Sequence, residues 1–257
     1  MPAAWVLLPA TGVFVLPVAD PRAALSSVTL RWDDHFKVDA AIAENFPLLA
    51  LTLGELHADL GIEAGVWMGF DPEDNLRFDL VTVDGTFGIP LAVQSGPWSG
   101  RLELAHTSAH FADGVRGGAT LPGSPDGYSR EWLSVIGSRQ LGPARLYVGG
   151  HALIHDQRGA PPFGVQLGGE VEGPWRVAPY AAVDLQVADE FAWTPAVAGQ
   201  AGVRLVFRDG QRLRVAVAGH HGPDDTGKLV GNDDWLGVSF GFDVNGRVTI
   251  PGGVNPP

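Results

Sequence analysis

The chain has 257 residues, of which 18% are charged and 45% hydrophobic, with 35 glycines, 20 prolines and no cysteine. The lack of cysteine excludes disulfides, thiol catalysis and cysteine-ligated metal sites. The net charge of −12 argues against nucleic acid as a partner, since phosphate binding needs clustered Lys and Arg. No apolar run approaches the about 18 residues of a transmembrane helix.

Residues 1–25 are interpreted as an N-terminal extension. They contain an apolar stretch from Trp5 to Val18, but no basic residue precedes Arg22. A secretory signal needs a basic region before its apolar core. We therefore expect at most a residual export segment here, with the start trimmed or the signal outside this numbering.

Residues 26–246 alternate apolar and polar side chains with a period of two, which is typical of β-strands. Leu102 and Leu104, for example, oppose Arg101 and Glu103. One face is almost purely apolar, and the segments approach the roughly 9–11 residues of a tilted membrane-spanning strand. The pattern predicts an all-β fold, an antiparallel up-and-down transmembrane β-barrel of about 12 strands, with residues 247–257 as a tail. The alternative is a soluble sandwich or barrel, which also alternates.

The polar face carries both signs of charge and is predicted to form a charge network that fills the lumen. Its members are Arg31, Asp33, Glu63, Arg77, Asp79, Arg101, Glu103, Arg145, Glu170, Asp184, Arg204, Arg214 and Asp243. His151 and His155 share this parity and are interpreted as lumen side chains. The stretch from Asp39 to Asn45 instead indicates a short helix or a loop.

The connections alternate in length after Pro97. Residues 111–129 and 222–234 form longer connections, whereas 141–143 and the Asp209-Gly210 turn are short. Outer-membrane barrels have short periplasmic turns and longer extracellular loops. The pattern therefore predicts an outer-membrane location, with Asp113 outside and Asp209 in the periplasm. Tryptophans near strand ends are typical of an aromatic girdle, and we assign to it Trp98, Trp175, Trp193 and Trp235.

One cluster interrupts the apolar face. Continuing the parity of Leu104, the side chains of His106, Ser108 and His110 fall on the lipid-facing side, where polar groups are costly in hydrocarbon. Ser108 is a candidate nucleophile, His106 or His110 its base, and Asp113 or another carboxylate the orienting group. A His-x-Ser pair on the outer face of a barrel resembles the lipid A deacylases, which attack ester-linked acyl chains.

Three segments also resemble an uncharacterised family of bacterial outer-membrane proteins with a domain of unknown function. They are residues 16–22, residues 87–91, and the His-x-Ser-x-His-x-x-Asp motif of residues 106–113. The resemblance runs from about Phe14 to His155. It departs from the family pattern at Ala109, Ala112 and Gly114. It implies a β-barrel in the outer membrane and no established activity.

Three functions are compatible with these observations. We favour a structural, scaffold or interaction role, in which the His/Ser/Asp cluster holds the long loop. A lipid A deacylase-like hydrolase is the first alternative, and a narrow channel or transporter is the second. We expect no cofactor and no metal. The expected partners are outer-membrane lipids, lipopolysaccharide or phospholipid, and a protein of the same membrane.

Overall fold

A computed structural model describes residues 4–73, 77–112, 128–207, 211–224, 227 and 231–243. Thirteen strands and one short 3-10 helix, Asp189–Phe191, make up the described secondary structure. The strands are β1 Ala4–Leu7, β2 Ser26–Trp32, β3 Phe36–Leu53, β4 Leu56–Glu73, β5 Arg77–Ser95, β6 Trp98–Phe111, β7 Tyr128–Leu141, β8 Ala144–Asp156, β9 Phe163–Glu172, β10 Val177–Ala188, β11 Ala196–Val206, β12 Arg212–His221 and β13 Trp235–Asp243.

Strands β2 to β13 form a closed antiparallel barrel of twelve strands. Each strand pairs with the next in sequence, and β13 pairs with β2, for example Val238 with Leu30. Closure leaves no open sheet edge around this ring. The short strand β1 adds to the same edge of β3 as β2, with Ala4 opposite Thr52. The predicted all-β fold and its strand number are confirmed.

The stretch from Asp39 to Asn45 belongs to β3, so the prediction of a helix or loop there was wrong. Strand β3 is 18 residues long, and Asp39 pairs with Thr29 of β2 and with Gly69 of β4. Ladders on both sides outweigh the helical preference of this alanine-rich sequence, because propensity is a weak prior against tertiary pairing.

The two faces of the barrel wall differ sharply in chemistry. Outward side chains are apolar and well exposed, as for Leu104 at 47% and Val148 at 60%, whereas the inward Arg101 and Glu103 are buried. The alternation therefore separates an apolar exterior from a charged interior. Among the described residues, no helix is both long and apolar enough to span a bilayer.

The connections define two ends of the barrel. At the tight-turn end, β3, β5 and β7 are followed by turns at Gly54, Gly96 and Gly142, each with a φ between 54° and 63°. Two-residue hairpin turns need this left-handed backbone, which glycine adopts without steric cost. At the long-loop end lie the connections 157–162 and 189–195 and the described parts of the connections after β6 and β12, which are residues 112, 222–224, 227 and 231–234. The Asp209-Gly210 turn lies outside the described residues.

Residues 9–25 run inside the lumen, and we call this segment the plug. Phe14, Val18 and Ala24 in it are buried. Phe14 packs with Ala92, Ile136 and Tyr147, and Val18 packs with Tyr180, Ala182 and Ala216. The interior of the barrel is thus built from two sources, the inward side chains of the wall and the chain's own N-terminal region.

Candidate functional site on the outer face

The outward cluster at the long-loop end is centred on Glu131. Its carboxylate accepts a hydrogen bond from Nδ1 of His106 at 2.8 Å and another from Nδ1 of His155 at 2.7 Å. The three side chains are partly exposed, between 38% and 64%. Three polar side chains on neighbouring strands thus form a connected group on an otherwise apolar face.

Strand register brings the three residues side by side. His106 of β6 lies opposite Glu131 of β7, which lies opposite His155 of β8. The pairing of Glu131 with His155 depends on a β-bulge at Ile154. Trp132 lies opposite Leu153 and Glu131 lies opposite His155, so Ile154 has no partner on β7. An extra residue reverses the alternation beyond it. His155 therefore faces outward, and the prediction that it lies in the lumen was wrong.

Ser108 and His110 share the outward parity of His106, as the sequence predicts. His110 is exposed and Ser108 is partly exposed. Ser108 lies opposite Gly85 of β5 and Ser129 of β7. A Cβ at Gly85 would be 3.8 Å from Ser108 Oγ, so this glycine leaves one flank of the hydroxyl uncovered.

The structure links the predicted catalytic residues only in part. His106 bonds to Glu131, and within the described ranges no hydrogen bond joins Ser108 to His106 or His110. Asp113 lies outside the described residues. Glu131 is the carboxylate that the sequence analysis missed. It shares the parity of Leu133 and Val135, so a charge on the apolar face of β7 was the signal that could have found it.

This arrangement has a defined chemical capacity. A histidine that donates Nδ1–H to a carboxylate presents Nε2 as a proton acceptor. On an antiparallel strand, residues i and i+2 lie on one face about 6.8 Å apart, so His106 and Ser108 are neighbours on the outer face. Catalytic hydrogen bonds often form only in the substrate complex. The cluster therefore holds a candidate nucleophile, a candidate base and a carboxylate bonded to that base.

Most of the predicted lumen charges line the wall and form ion pairs there. Arg101 pairs with Glu63 and, at 3.1 Å, with Glu103. The other pairs are Arg31 with Asp39 and Asp233, Arg145 with Glu170, Arg204 with Glu172, and Arg214 with Asp243. Buried charges need such partners, and several of these partners were not among the predicted residues.

Asp184 is a buried acid that forms no ion pair with an arginine among the described residues. It accepts hydrogen bonds from the Tyr147 hydroxyl at 2.7 Å, from Gln166 at 2.8 Å and from Gln186 at 2.9 Å. Gln166 and Gln186 also donate to Asp20 of the plug. This polar network therefore ties the wall to the plug.

Three predicted lumen residues lie at the rim of the long-loop end rather than inside. Asp33 follows the end of β2, outside the strand, and pairs with Lys37 at 2.6 Å. Arg77 begins β5 and is exposed, and Asp79 is half-buried. Parity fixes which face a side chain takes but not its depth along the barrel, so the sequence pattern assigned these residues to the interior.

Among the described residues, one cluster has side chains that could ligate a metal ion. It consists of Asp33, Asp34 and His35, whose potential ligand atoms lie within 4.8 Å of one another. All three are exposed. Partial burial raises the pKa of Asp33, but hydrogen bonds with Asp34, Lys37 and the His35 backbone outweigh it and hold that pKa well below its usual range. Lys37 forms an ion pair with the Asp33 carboxylate. We therefore interpret the three residues as a surface ion-pair cluster.

The plug is held by the wall through hydrogen bonds along its length. Asp59 accepts from the Val13 backbone at 2.6 Å, and Arg145 donates to the carbonyls of Val15 and Leu16. Arg22 bonds to the buried Asp84. The segment 16–22, which carries the family resemblance, lies within the plug.

No curated protein and no solved structure matches the chain. A family model described as a protein of unknown function, DUF1207, matches residues 3–243. Because the match covers almost the whole length, the chain belongs to the DUF1207 family of unknown function.

Proposed function

We propose that the protein is an outer-membrane β-barrel that hydrolyses ester-linked acyl chains of membrane lipids at its long-loop rim. The observation that carries the proposal is the hydrogen bond between His106 and Glu131 on the outward face that also bears Ser108. The lipids expected as substrates are lipopolysaccharide and phospholipid.

The apolar exterior supports the membrane location. A soluble protein rarely exposes contiguous apolar patches larger than a few hundred Å², yet every barrel strand contributes to this face through residues such as Val135 and Leu167. In a bilayer the same surface is solvated by acyl chains. At the tight-turn end of this apolar surface, the Arg139 guanidinium lies 4.8 Å from the centre of the Trp98 ring.

The position of the cluster supports action on lipid. From Trp98 to His106 the strand rises about 27 Å, at about 3.4 Å per residue. A tilt of about 40° reduces this to about 20 Å along the membrane normal, close to the about 25 Å apolar band of outer-membrane barrels. His106 and Glu131 would then lie at the outer interface, where ester groups of lipids are found.

The reaction would proceed by acyl transfer through serine. Ser108 Oγ attacks the ester carbonyl while His106 Nε2 accepts its proton, and Glu131 stabilises the imidazolium that forms. The proton then passes to the departing lipid alcohol. Water, deprotonated by the same histidine, hydrolyses the acyl-serine and releases the fatty acid.

The test is release of fatty acid from lipopolysaccharide and from phospholipid vesicles by the refolded protein. Ser108→Ala should abolish release, and Glu131→Gln should lower kcat by about 10⁴, as loss of an orienting carboxylate does. Ser129→Ala, the neighbouring outward hydroxyl, is the matched control and should keep activity. Release by Ser108→Ala at the wild-type rate would exclude the mechanism.

A scaffold or interaction role is the second candidate, and the plug favours it over a channel. The plug fills part of the lumen and forms hydrogen bonds with the wall at Asp59, Arg145 and Asp84. A channel needs a continuous open path through the barrel, and the plug lies across that path. Absence of lipid hydrolysis together with co-purification of a defined outer-membrane protein would favour this role.

A further inference from the structure

A cavity of about 610 Å³ occupies the lumen between the plug and the long-loop end. Phe14, Pro17 and Arg22 of the plug lie on one side of it, and the connections of the long-loop end contribute residues such as Arg158 and Asp224. Sites for small molecules measure about 300–1,000 Å³ and combine apolar walls with a few polar groups. The cavity has the size and composition of such a site.

Most of the charged groups around the cavity already have partners. Arg130 donates two hydrogen bonds to Glu190, at 2.9 and 3.1 Å. Arg22 bonds to Asp84, and Asp20 accepts from Gln166 and Gln186. Arg130 with Glu190 and Arg22 with Asp84 are thus oppositely charged pairs, whereas Asp20 is held by neutral amides.

Arg158 and His151 are the exceptions. Over the described ranges, the Arg158 guanidinium makes no ion pair and no side-chain hydrogen bond, and the imidazole of His151 has no hydrogen-bond partner. Both side chains line the cavity. Neither donor group has a protein acceptor among the described residues; Arg158 is exposed and His151 is partly buried. An anion between them would accept hydrogen bonds from both.

Neighbouring groups orient both donors. The guanidinium of Arg158 lies 4.5 Å from the centre of the Tyr128 ring, and that of Arg130 lies 4.3 Å from it. The His151 ring lies over Gly164, where a Cβ would come within 2.2 Å of its Cε1 atom. Only glycine leaves room for the imidazole in this orientation. Tyr128 of β7 therefore orients Arg158, and Gly164 of β9 leaves the space that His151 fills.

The remaining wall offers flat apolar surface. Trp132, Leu153 and Phe191 line the cavity. The Trp132 indole N–H already bonds to Thr107 Oγ1 at 3.1 Å, so this ring is oriented and contributes its apolar surface. Aromatic walls of this kind stack on planar ligands.

We propose that this cavity binds a small organic anion, a carboxylate or phosphate on a planar apolar body, with Arg158 and His151 holding the anionic group. The anion is held at the long-loop end, and its apolar body lies against Trp132 and Leu153. The proposal is independent of the outward cluster, which lies on the other face of the wall.

The experiment is isothermal titration of the refolded full-length protein in detergent with 2-naphthoate as the probe. Saturable binding at one site is expected, and the uncharged 2-naphthol should bind at least tenfold more weakly. Arg158→Gln should weaken 2-naphthoate binding by about tenfold or more, as loss of a hydrogen bond to a charged group does. Gly164→Val should weaken it as well, by displacing His151.

Arg139→Gln is the matched control, because Arg139 also stacks on an aromatic ring but lies on the outward face. It should bind 2-naphthoate as the wild type does, which separates binding in the lumen from binding to an arginine on the outer face. Equal affinity of Arg158→Gln and wild type, equal affinity for 2-naphthol, or no saturable binding to the wild type would each overturn the proposal.

Discussion

Replacement of Arg145 by methionine tests whether the wall holds the plug. Arg145 is buried, and its Nε donates to Glu170 at 3.0 Å. Its two terminal nitrogens donate to the carbonyls of Val15 and Leu16, at 2.5 and 3.3 Å. Methionine keeps much of the side-chain volume but removes every one of these donors. One substitution therefore removes two hydrogen bonds to the plug and leaves Glu170 without its ion-pair partner.

The expected decrease in the free energy of unfolding follows from the burial of the Arg145–Glu170 ion pair. Removing one partner of a buried ion pair costs about 3–5 kcal/mol, because the remaining charge stays desolvated. The Glu170 side chain retains 15% exposure, so we expect the lower end, about 3 kcal/mol. The double variant Arg145→Met, Glu170→Gln should recover more than half of that loss, because both charges are then gone.

The measurement is urea unfolding of the protein in lipid vesicles, followed by tryptophan fluorescence, with the free energy taken from the midpoint and slope. Arg139→Met is the control. That exposed arginine stacks on Trp98, and its loss should cost at most about 1 kcal/mol. If Arg145→Met is no more destabilising than Arg139→Met, the stability of the protein does not depend on the contact between Arg145 and the plug.

Three further predictions concern the lumen, the wall and the membrane boundary. Removal of residues 1–25 should produce single-channel conductance in planar bilayers where the full chain shows none; a folded but silent variant would mean that the wall side chains alone close the lumen. Gly202→Ala should destabilise the barrel by about 1–3 kcal/mol through overpacking, because a Cβ there would lie 2.0 Å from the Val215 carbonyl oxygen. Gly199→Ala in the same strand, whose nearest atom is at 3.7 Å, should be nearly neutral in the same urea titration, and equal losses would contradict the packing argument. A variant with Trp98 as its only tryptophan should be quenched more by lipids brominated near the headgroup than by lipids brominated at mid-chain; the reverse order would place β6 at a different depth.

Much of the wall could be predicted from the sequence. The alternation of Leu102 and Leu104 with Arg101 and Glu103 gives both the strand and its two faces, because successive side chains on a strand point to opposite sides. The same parity places His106, Ser108 and His110 on the exterior. It could not reveal the role of Glu131, since a pair between neighbouring strands depends on register.

The sequence by itself determined the properties that depend on near neighbours along the chain: strand character, the division into an apolar and a charged face, and the glycine turns. Only the tertiary structure decided the properties that depend on distant residues. These are the closure of β13 on β2, the bulge that turns His155 outward, and the plug in the lumen. Register and closure are settled by pairing between separate strands, and the plug by contacts such as Val18 with Glu170, 152 residues apart. An apolar N-terminal segment has no periodic pattern that distinguishes a lumen plug from an export segment, so its place is decided by the space and the hydrogen-bond partners that the finished barrel provides.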